Sequence, residues 1–204
     1  MKDAWGRTIE YVRLSLTDAC NFCCPYCRPA EITPQSQHQL LSVDEWMTIL
    51  GAFHQVGVKA VRLTGGEPLL YPHIEELLAR IKQTGWFEDI SMTTNGSLLA
   101  PRAEKLKELG LNRVNISLDS LDSDAFALCV GKADQLDSVL SGIQSAIDAG
   151  FTSVKINTVL SRHWTDDEVH DLLHYVETWP VIWRFIEYMP FQGDAFHGPT
   201  FDEW

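Results

Sequence analysis

Short apolar runs alternate six times with helix-like segments along the chain. The runs, each predicted to be a β-strand, cover residues 10–17, 59–64, 89–94, 113–119, 153–160 and 181–187. In the segments between them, apolar residues recur at the spacing of one face of an amphipathic helix. This alternation predicts consecutive βαβ units and a parallel sheet.

Local signals mark where the helices begin and end. Ser42 and Glu45 have the spacing of a capping box, which predicts a helix from this point to about Val56. A glycine follows each of four helical patterns, where a left-handed C-terminal cap is needed: Gly57, Gly85, Gly110 and Gly150. The order helix, glycine, strand therefore repeats along the chain.

Several predicted strands alternate between apolar and polar residues, whereas parallel strands covered on both faces are normally apolar throughout. Residues 12–17 place Val, Leu and Leu on one face and a polar set that begins with Arg13 on the other. Lys155 and Asn157 likewise share one face of the fifth strand. An exposed sheet would show the same pattern, but βαβ crossovers of one hand curl the sheet around its free face. The prediction is an α/β fold, a partial (β/α)6 TIM-like barrel with a polar, solvated lumen.

The composition fits one domain with a buried core. The chain has 204 residues, of which 45% are apolar and 22% charged, and no linker or low-complexity tract divides it. We therefore expect a single domain over residues 1–204. The 28 acidic and 16 basic side chains give a formal net charge of −12, which argues against non-specific binding to nucleic acid or anionic lipid. An anionic substrate would have to be bound by a few well-placed cations.

Four of the five cysteines lie within residues 20–27. Cys20, Cys24 and Cys27 have the spacing Cys-x3-Cys-x2-Cys, which can ligate three irons of a [4Fe-4S] cluster and leave the fourth open to a small molecule. Two interleaved Cys-x2-Cys pairs could instead form a zinc site, but adjacent Cys23 and Cys24 would strain it. Disulfides are disfavoured because the chain shows no signal peptide and no apolar segment of membrane length. Reduced thiols at this density indicate the cytoplasm.

Three other segments lie at predicted strand ends, where parallel barrels gather their reacting groups. Residues 63–68 read Leu-Thr-Gly-Gly-Glu-Pro, and the two glycines would let the backbone approach a ligand closely. Residues 93–96 read Thr-Thr-Asn-Gly, and residues 117–120 read Ser-Leu-Asp-Ser. Each segment on its own is equally typical of a turn or a helix N-terminus.

Taken together, these segments resemble the radical S-adenosylmethionine (SAM) superfamily, whose hallmark is a CxxxCxxC loop followed by a GGE-type strand end. Within it, they are similar to the GTP 3′,8-cyclases of molybdenum-cofactor biosynthesis. The resembling segments run in order over nearly the whole chain and comprise residues 6–7, 12–18, 20–27, 61–70, 93–99, 113–121, 154–157 and 184–190.

The resemblance implies roles for individual residues. Cys20, Cys24 and Cys27 would ligate the [4Fe-4S] cluster, and Cys23 would be left over. The residues implied to contact SAM are Tyr26, Gly66, Ser117 and Met189. The residues implied to bind GTP are three cations and a hydroxyl, namely Arg13, Arg62, Lys155 and Thr93. For any one of these cations, a salt bridge is the more common interpretation, whereas several in one lumen can counter a triphosphate.

The resemblance also implies a reaction and its partners. In the cyclases, SAM chelates the open iron, and an electron from the cluster splits it into methionine and a 5′-deoxyadenosyl radical. This radical takes a hydrogen from the ribose of GTP, and the product is (8S)-3′,8-cyclo-7,8-dihydroguanosine 5′-triphosphate. The implied partners are GTP and a low-potential electron donor, without nucleic acid or a membrane. The oligomeric state stays open, with a homodimer as one option.

Two features of the cyclases have no counterpart in the sequence, namely a second three-cysteine cluster in a C-terminal region and a Gly-Gly tail. After Cys27 the chain has only Cys129, which lies in a helical pattern and is expected to be a buried apolar residue. Because the chain stops at Trp204, just after the sixth predicted strand, we expect a cyclase that lacks the second-cluster region. Two alternatives stay open: a radical SAM enzyme acting on a peptide or haem precursor, and a non-catalytic iron-sulfur or zinc protein.

Overall fold

The computed structural model describes residues 2–27, 40–160 and 166–189. Its helices and strands, in chain order, are β1 (Tyr11–Ser15), α1 (Val43–Gln55), β2 (Ala60–Thr64), α2 (Ile74–Thr84), β3 (Asp89–Thr94), α3 (Ala103–Glu108), β4 (Arg113–Ser117), α4 (Ser123–Val130), α5 (Leu136–Asp148), β5 (Ser153–Val159), α6 (Asp166–Thr178) and β6 (Ile182–Ile186). The predicted alternation is confirmed, with two helices instead of one between β4 and β5. The end of the chain from residue 190 lies outside the described residues, and no helix within them is long and apolar enough to cross a bilayer.

All six strands form one parallel sheet in sequence order, β1-β2-β3-β4-β5-β6. In the described part of the chain, β1 and β6 are edge strands that do not pair with each other. The sheet is therefore open, which confirms the prediction of a partial barrel.

The two faces of the sheet differ as the alternation of residues predicted. Side chains on the helix-covered face are buried with the apolar faces of the helices in one core, and those with no exposed surface include Val61, Leu63, Met92, Val114 and Ile156. Neighbouring positions on the other face carry polar and cationic side chains that point into the lumen. The core thus lies outside the sheet, and the lumen is free to hold a ligand.

The helix ends are formed as predicted. Ser42 and Glu45 make the capping box of α1, in which the Ser42 N–H donates to the Glu45 carboxylate over 2.8 Å and the Glu45 N–H donates to the Ser42 hydroxyl. The four glycines predicted to follow helices all have positive φ angles, from 63° to 104°. Two lysines add bonds between neighbouring helices: Lys82 donates to the Glu108 carbonyl at the end of α3, and Lys107 donates to the Ala149 carbonyl after α5, both over 2.7 Å.

Candidate functional site

A cavity of about 250 Å³ opens at the C-terminal ends of β1 to β4. Of the residues predicted to form the site, those lining this cavity are Arg13, Cys20, Cys24, Tyr26, Cys27, Gly66, Thr93 and Ser117. The predicted residues that do not line it are Arg62, Lys155 and Met189. Sequence positions as far apart as the first and fourth strands therefore meet at one place.

The cysteine loop is held against the end of β2 by two backbone hydrogen bonds. The Gly66 N–H donates to the Thr17 carbonyl over 2.6 Å, and the Glu67 N–H donates to the Ala19 carbonyl over 2.7 Å. A Cβ atom on Gly66 would overlap the Ala19 carbonyl. Glycine is therefore required at this position because the two backbone segments lie in direct contact.

The cysteines of the loop have different surroundings. Cys20 and Cys24 are half-buried, whereas Cys23 and Cys27 are exposed. Burial, followed by the charges of Asp119 and the neighbouring cysteines, raises the pKa of Cys24 to about 12. A positively charged metal cluster would supply the opposite charge that a Cys24 thiolate needs.

The three cysteines that border the cavity are compatible with an iron-sulfur cluster. Among the described residues, no three His, Cys, Asp or Glu side chains converge closely enough to hold one ion, as tetrahedral zinc requires. A [4Fe-4S] cluster does not need such convergence, because each cysteine binds a different iron. Cys129 is 7% exposed within α4, which confirms the prediction that it is a buried apolar residue.

Tyr26 and Asp119 connect the cysteine loop to the barrel. The Tyr26 hydroxyl donates to one oxygen of Asp119, and the Val159 N–H at the end of β5 donates to the other over 2.9 Å. Asp119 is only 2% exposed, and burial raises its pKa to about 6 although both of these hydrogen bonds lower it. Asp119 belongs to one of the predicted strand-end segments, residues 117–120, but no role was predicted for it.

Glu67 makes a similar connection between the ends of β2 and β3. Its carboxylate accepts hydrogen bonds from the Leu69 N–H at 3.0 Å, the Thr94 hydroxyl at 2.7 Å and the Asn95 N–H at 2.7 Å. Glu67 is 1% exposed, and burial raises its pKa while these donors lower it. No role was predicted for this carboxylate, whose signal in the sequence is its place directly after the two glycines.

Cations line the lumen next to the cavity, and one of them, Arg13, is part of the cavity wall. Arg13 and Arg62 are direct neighbours across β1 and β2, and Lys155 lies in the same row as Thr93, with one strand between them. Burial and the charges of neighbouring arginines lower the pKa of Arg62 and of Lys155. Arg113, in contrast, is neutralised by Asp89, with 2.7 Å between Nε and Oδ1 and a second, closer contact from Nη2.

Arg184 is a further lumen cation and was not among the residues predicted to bind GTP. It pairs in register with Asn157 on β5, and both side chains are half-buried. Arg184 Nε and Asn157 Oδ1 are buried atoms with no hydrogen-bond partner among the described residues. No carboxylate in the described ranges forms an ion pair with Arg13, Arg62, Lys155 or Arg184. The signal that could have found Arg184 was its place in the last strand, aligned with two polar lumen residues.

Comparison with known proteins finds relatives in the superfamily that the sequence motifs resemble. The model of the radical SAM superfamily matches residues 14–176. A GTP 3′,8-cyclase of Listeria welshimeri is 45% identical over 191 residues, which cover 93% of this chain and 57% of the relative. GTP 3′,8-cyclase 2 of Pseudomonas aeruginosa is 43% identical, with 96% of this chain and 59% of the relative covered. The chain thus spans somewhat more than half the length of these relatives.

Solved structures share the fold. SuiB of Streptococcus suis, bound to SAM, superposes with a TM-score of 0.77 at 19% identity and covers 94% of this chain and 44% of its own. Methylornithine synthase (PylB) gives a TM-score of 0.71 at 17% identity, with coverage of 94% and 58%. Both the family model and the sequence relatives span most of the described barrel. The chain therefore belongs to the radical SAM superfamily, whose cofactors are a [4Fe-4S] cluster and S-adenosylmethionine.

Proposed function

We propose that this chain forms the barrel of a GTP 3′,8-cyclase. The observation that carries the proposal is a group of lumen cations that form no ion pair within the described residues, next to a cavity that the three cysteines border. The names of the sequence relatives support GTP as the substrate over a peptide or a haem precursor. Since the chain spans only part of their length, the reaction of the whole relatives is included in the proposal.

Cys20, Cys24 and Cys27 would hold the cluster, and Gly66, Ser117, Tyr26 and Met189 would contact SAM. When bound, the cluster supplies the low-potential electron that cleaves SAM. The chain's own residues bind and orient: Gly66 brings backbone groups up to the ligand without a side chain in the way, and Ser117 offers a hydroxyl at the end of β4. Met189 is 71% exposed beyond β6, where it is free to cover a ligand.

The triphosphate of GTP would lie among four lumen cations, namely Arg13, Arg62, Lys155 and Arg184. These side chains repel one another without a ligand, which is one reason why the pKa of Lys155 is lowered. A triphosphate would relieve this repulsion and would give the buried Arg184 Nε the acceptor that it lacks among the described residues. Thr93, in the same row as Lys155, offers a hydroxyl to the nucleotide.

The proposal is tested by loading the chain with its cluster under anaerobic conditions and adding SAM, GTP and dithionite. We expect 5′-deoxyadenosine to form and GTP to bind. Arg184→Ala is expected to weaken GTP binding at least about tenfold, because a charged hydrogen bond in a half-buried lumen is lost. Arg80→Ala is the matched control, since it removes the same charge from the outer surface of α2, where Arg80 pairs with Asp44. Equal GTP affinity in wild type and Arg184→Ala would refute the lumen as the triphosphate site.

A further inference from the structure

Asn95, directly after β3, lies next to the first cysteine of the loop. Its Nδ2 is 2.8 Å from Asn21 Oδ1 and 3.9 Å from Cys20 Sγ, the longer distance being suitable for a sulfur acceptor. The Cys20 sulfur also accepts the N–H of Phe22 at 3.5 Å. The Asn95 side chain and the Phe22 backbone thus each direct an N–H at the Cys20 sulfur.

The orientation of the Asn95 amide is fixed by its partners. Its Oδ1 accepts the backbone N–H of Ser97 at 3.0 Å, and a backbone N–H can only donate. The oxygen therefore faces Ser97, and the nitrogen must face Cys20 and Asn21. A flipped amide would place two donors against each other at Ser97 and two acceptors against each other at Asn21.

The backbone of Asn95 is held as firmly as its side chain. Its N–H donates to the buried carboxylate of Glu67 over 2.7 Å. On the side of the cysteine loop, the Asn21 amide donates to the Ser97 hydroxyl over 2.9 Å. That hydroxyl in turn donates to Asn95 Oδ1 over 2.8 Å, which completes a ring of hydrogen bonds. This ring of hydrogen bonds joins the cysteine loop to the end of β3 and leaves the amide little freedom to turn away from Cys20.

We propose that Asn95 is a positioning residue for the cluster, which donates an N–H to the ligating sulfur of Cys20 and thereby raises the reduction potential. Hydrogen bonds to cysteine sulfurs stabilise the more negative, reduced state of an iron-sulfur cluster and orient the ligand. The inference rests on the cysteine ligands proposed above. It adds a residue directly after β3 that controls how easily the cluster takes up its electron.

The test is the midpoint potential of the reconstituted cluster, followed by electron paramagnetic resonance during a redox titration without GTP, with iron and sulfide measured in each sample. Asn95→Asp keeps an acceptor for Ser97 but replaces the donor with a negative charge, so the potential is expected to shift to more negative values. Asn95→Ala removes the donor without adding charge, and a smaller shift in the same direction is expected. It also serves as the second variant if Asn95→Asp fails to assemble a cluster.

Ser97→Ala is the control for a merely structural role. It removes both hydroxyl bonds of the ring but leaves Asn95 Nδ2 facing Cys20, so its potential is expected to match that of the wild type. Unchanged potentials in both Asn95 variants at full iron content would overturn the inference, as would an equal shift in Ser97→Ala. A wild-type chain that binds no cluster would refute the cysteine ligands themselves, and altered potentials with unchanged GTP affinity would support Asn95 independently of the substrate.

Discussion

Cys23 and Cys24 are adjacent in sequence but lie in different places. Cys24 lines the cavity and is half-buried, whereas Cys23 is exposed and absent from the cavity wall. The N–H of Cys23 donates to the Val130 carbonyl at the end of α4 over 2.9 Å, which directs this residue towards the outside of the loop. The arrangement separates one candidate ligand from one spare thiol.

We therefore expect opposite results from two serine variants. Cys24→Ser should lose most of the iron, sulfide and visible absorption of the reconstituted protein, because a serine hydroxyl is a poor substitute for a thiolate ligand. Cys23→Ser should retain a wild-type cluster content. Loss of the cluster in Cys23→Ser, or its retention in Cys24→Ser, would mean that the ligands are assigned wrongly.

Among single residues, those that belong to a short spacing could be predicted from the sequence, and those that depend on a distant partner could not. The cysteines and Gly66 stand in short motifs whose chemistry is local, so they were predicted. Asn95 and Cys20 are 75 positions apart, and their contact exists only because β1 and β3 end at the same edge of the sheet. Asp119 was missed for the same reason, because its partners come from the cysteine loop and β5.

At the level of elements, hydrophobic periodicity predicted the order of strands and helices but extended several strands too far. The fourth strand was predicted over residues 113–119 and ends at Ser117, although its alternating pattern continues. Beyond Ser117 the chain bends towards the cavity. The Leu118 N–H still donates to the Asn157 carbonyl over 2.9 Å. The Asp119 side chain then accepts a hydrogen bond from Tyr26, and the strand does not continue. Polar residues that line the cavity at a strand end thus continue the alternation of apolar and polar residues beyond the strand itself.

The capping box of α1 gives a prediction for one element alone. Ser42→Ala should lower the free energy of unfolding by about 1 kcal/mol, since the first turn of the helix loses its side-chain acceptor. Chemical denaturation measures this change. Ser42→Thr should preserve most of the stability because it can form the same box. Since Ser42 does not line the cavity, GTP affinity should stay unchanged, and a large loss of affinity would contradict the assignment of the site to the barrel lumen.

On the scale of the whole molecule, charge is divided between the outside and the lumen. The chain carries a net charge of −12, yet burial and neighbouring lumen cations lower the pKa of Arg62 and of Lys155. The lowered pKa of Lys155 means that the folded state disfavours its charged form, so the charge of this residue costs stability when no anion is bound. Such a cost is reasonable at a site that binds a polyanion.

Removing the charge of Lys155 should therefore weaken anion binding without lowering the stability of the ligand-free protein. Lys155→Met is expected to melt at the same or a higher temperature than the wild type without ligand. Inorganic triphosphate should raise the melting temperature of the wild type and raise that of Lys155→Met less. Added salt should weaken the effect in both proteins. A variant that is less stable without ligand and equally stabilised by triphosphate would show that Lys155 has a structural role instead.

Cys20, Cys24 and Cys27 are proposed to hold a [4Fe-4S] cluster with one iron open to SAM. The most direct test is the electron paramagnetic resonance spectrum of the reduced, fully loaded protein before and after SAM is added. The spectrum is expected to change when SAM is added, because the amino acid end of SAM would bind the open iron. A spectrum that stays the same at full iron content and saturating SAM would contradict this proposal.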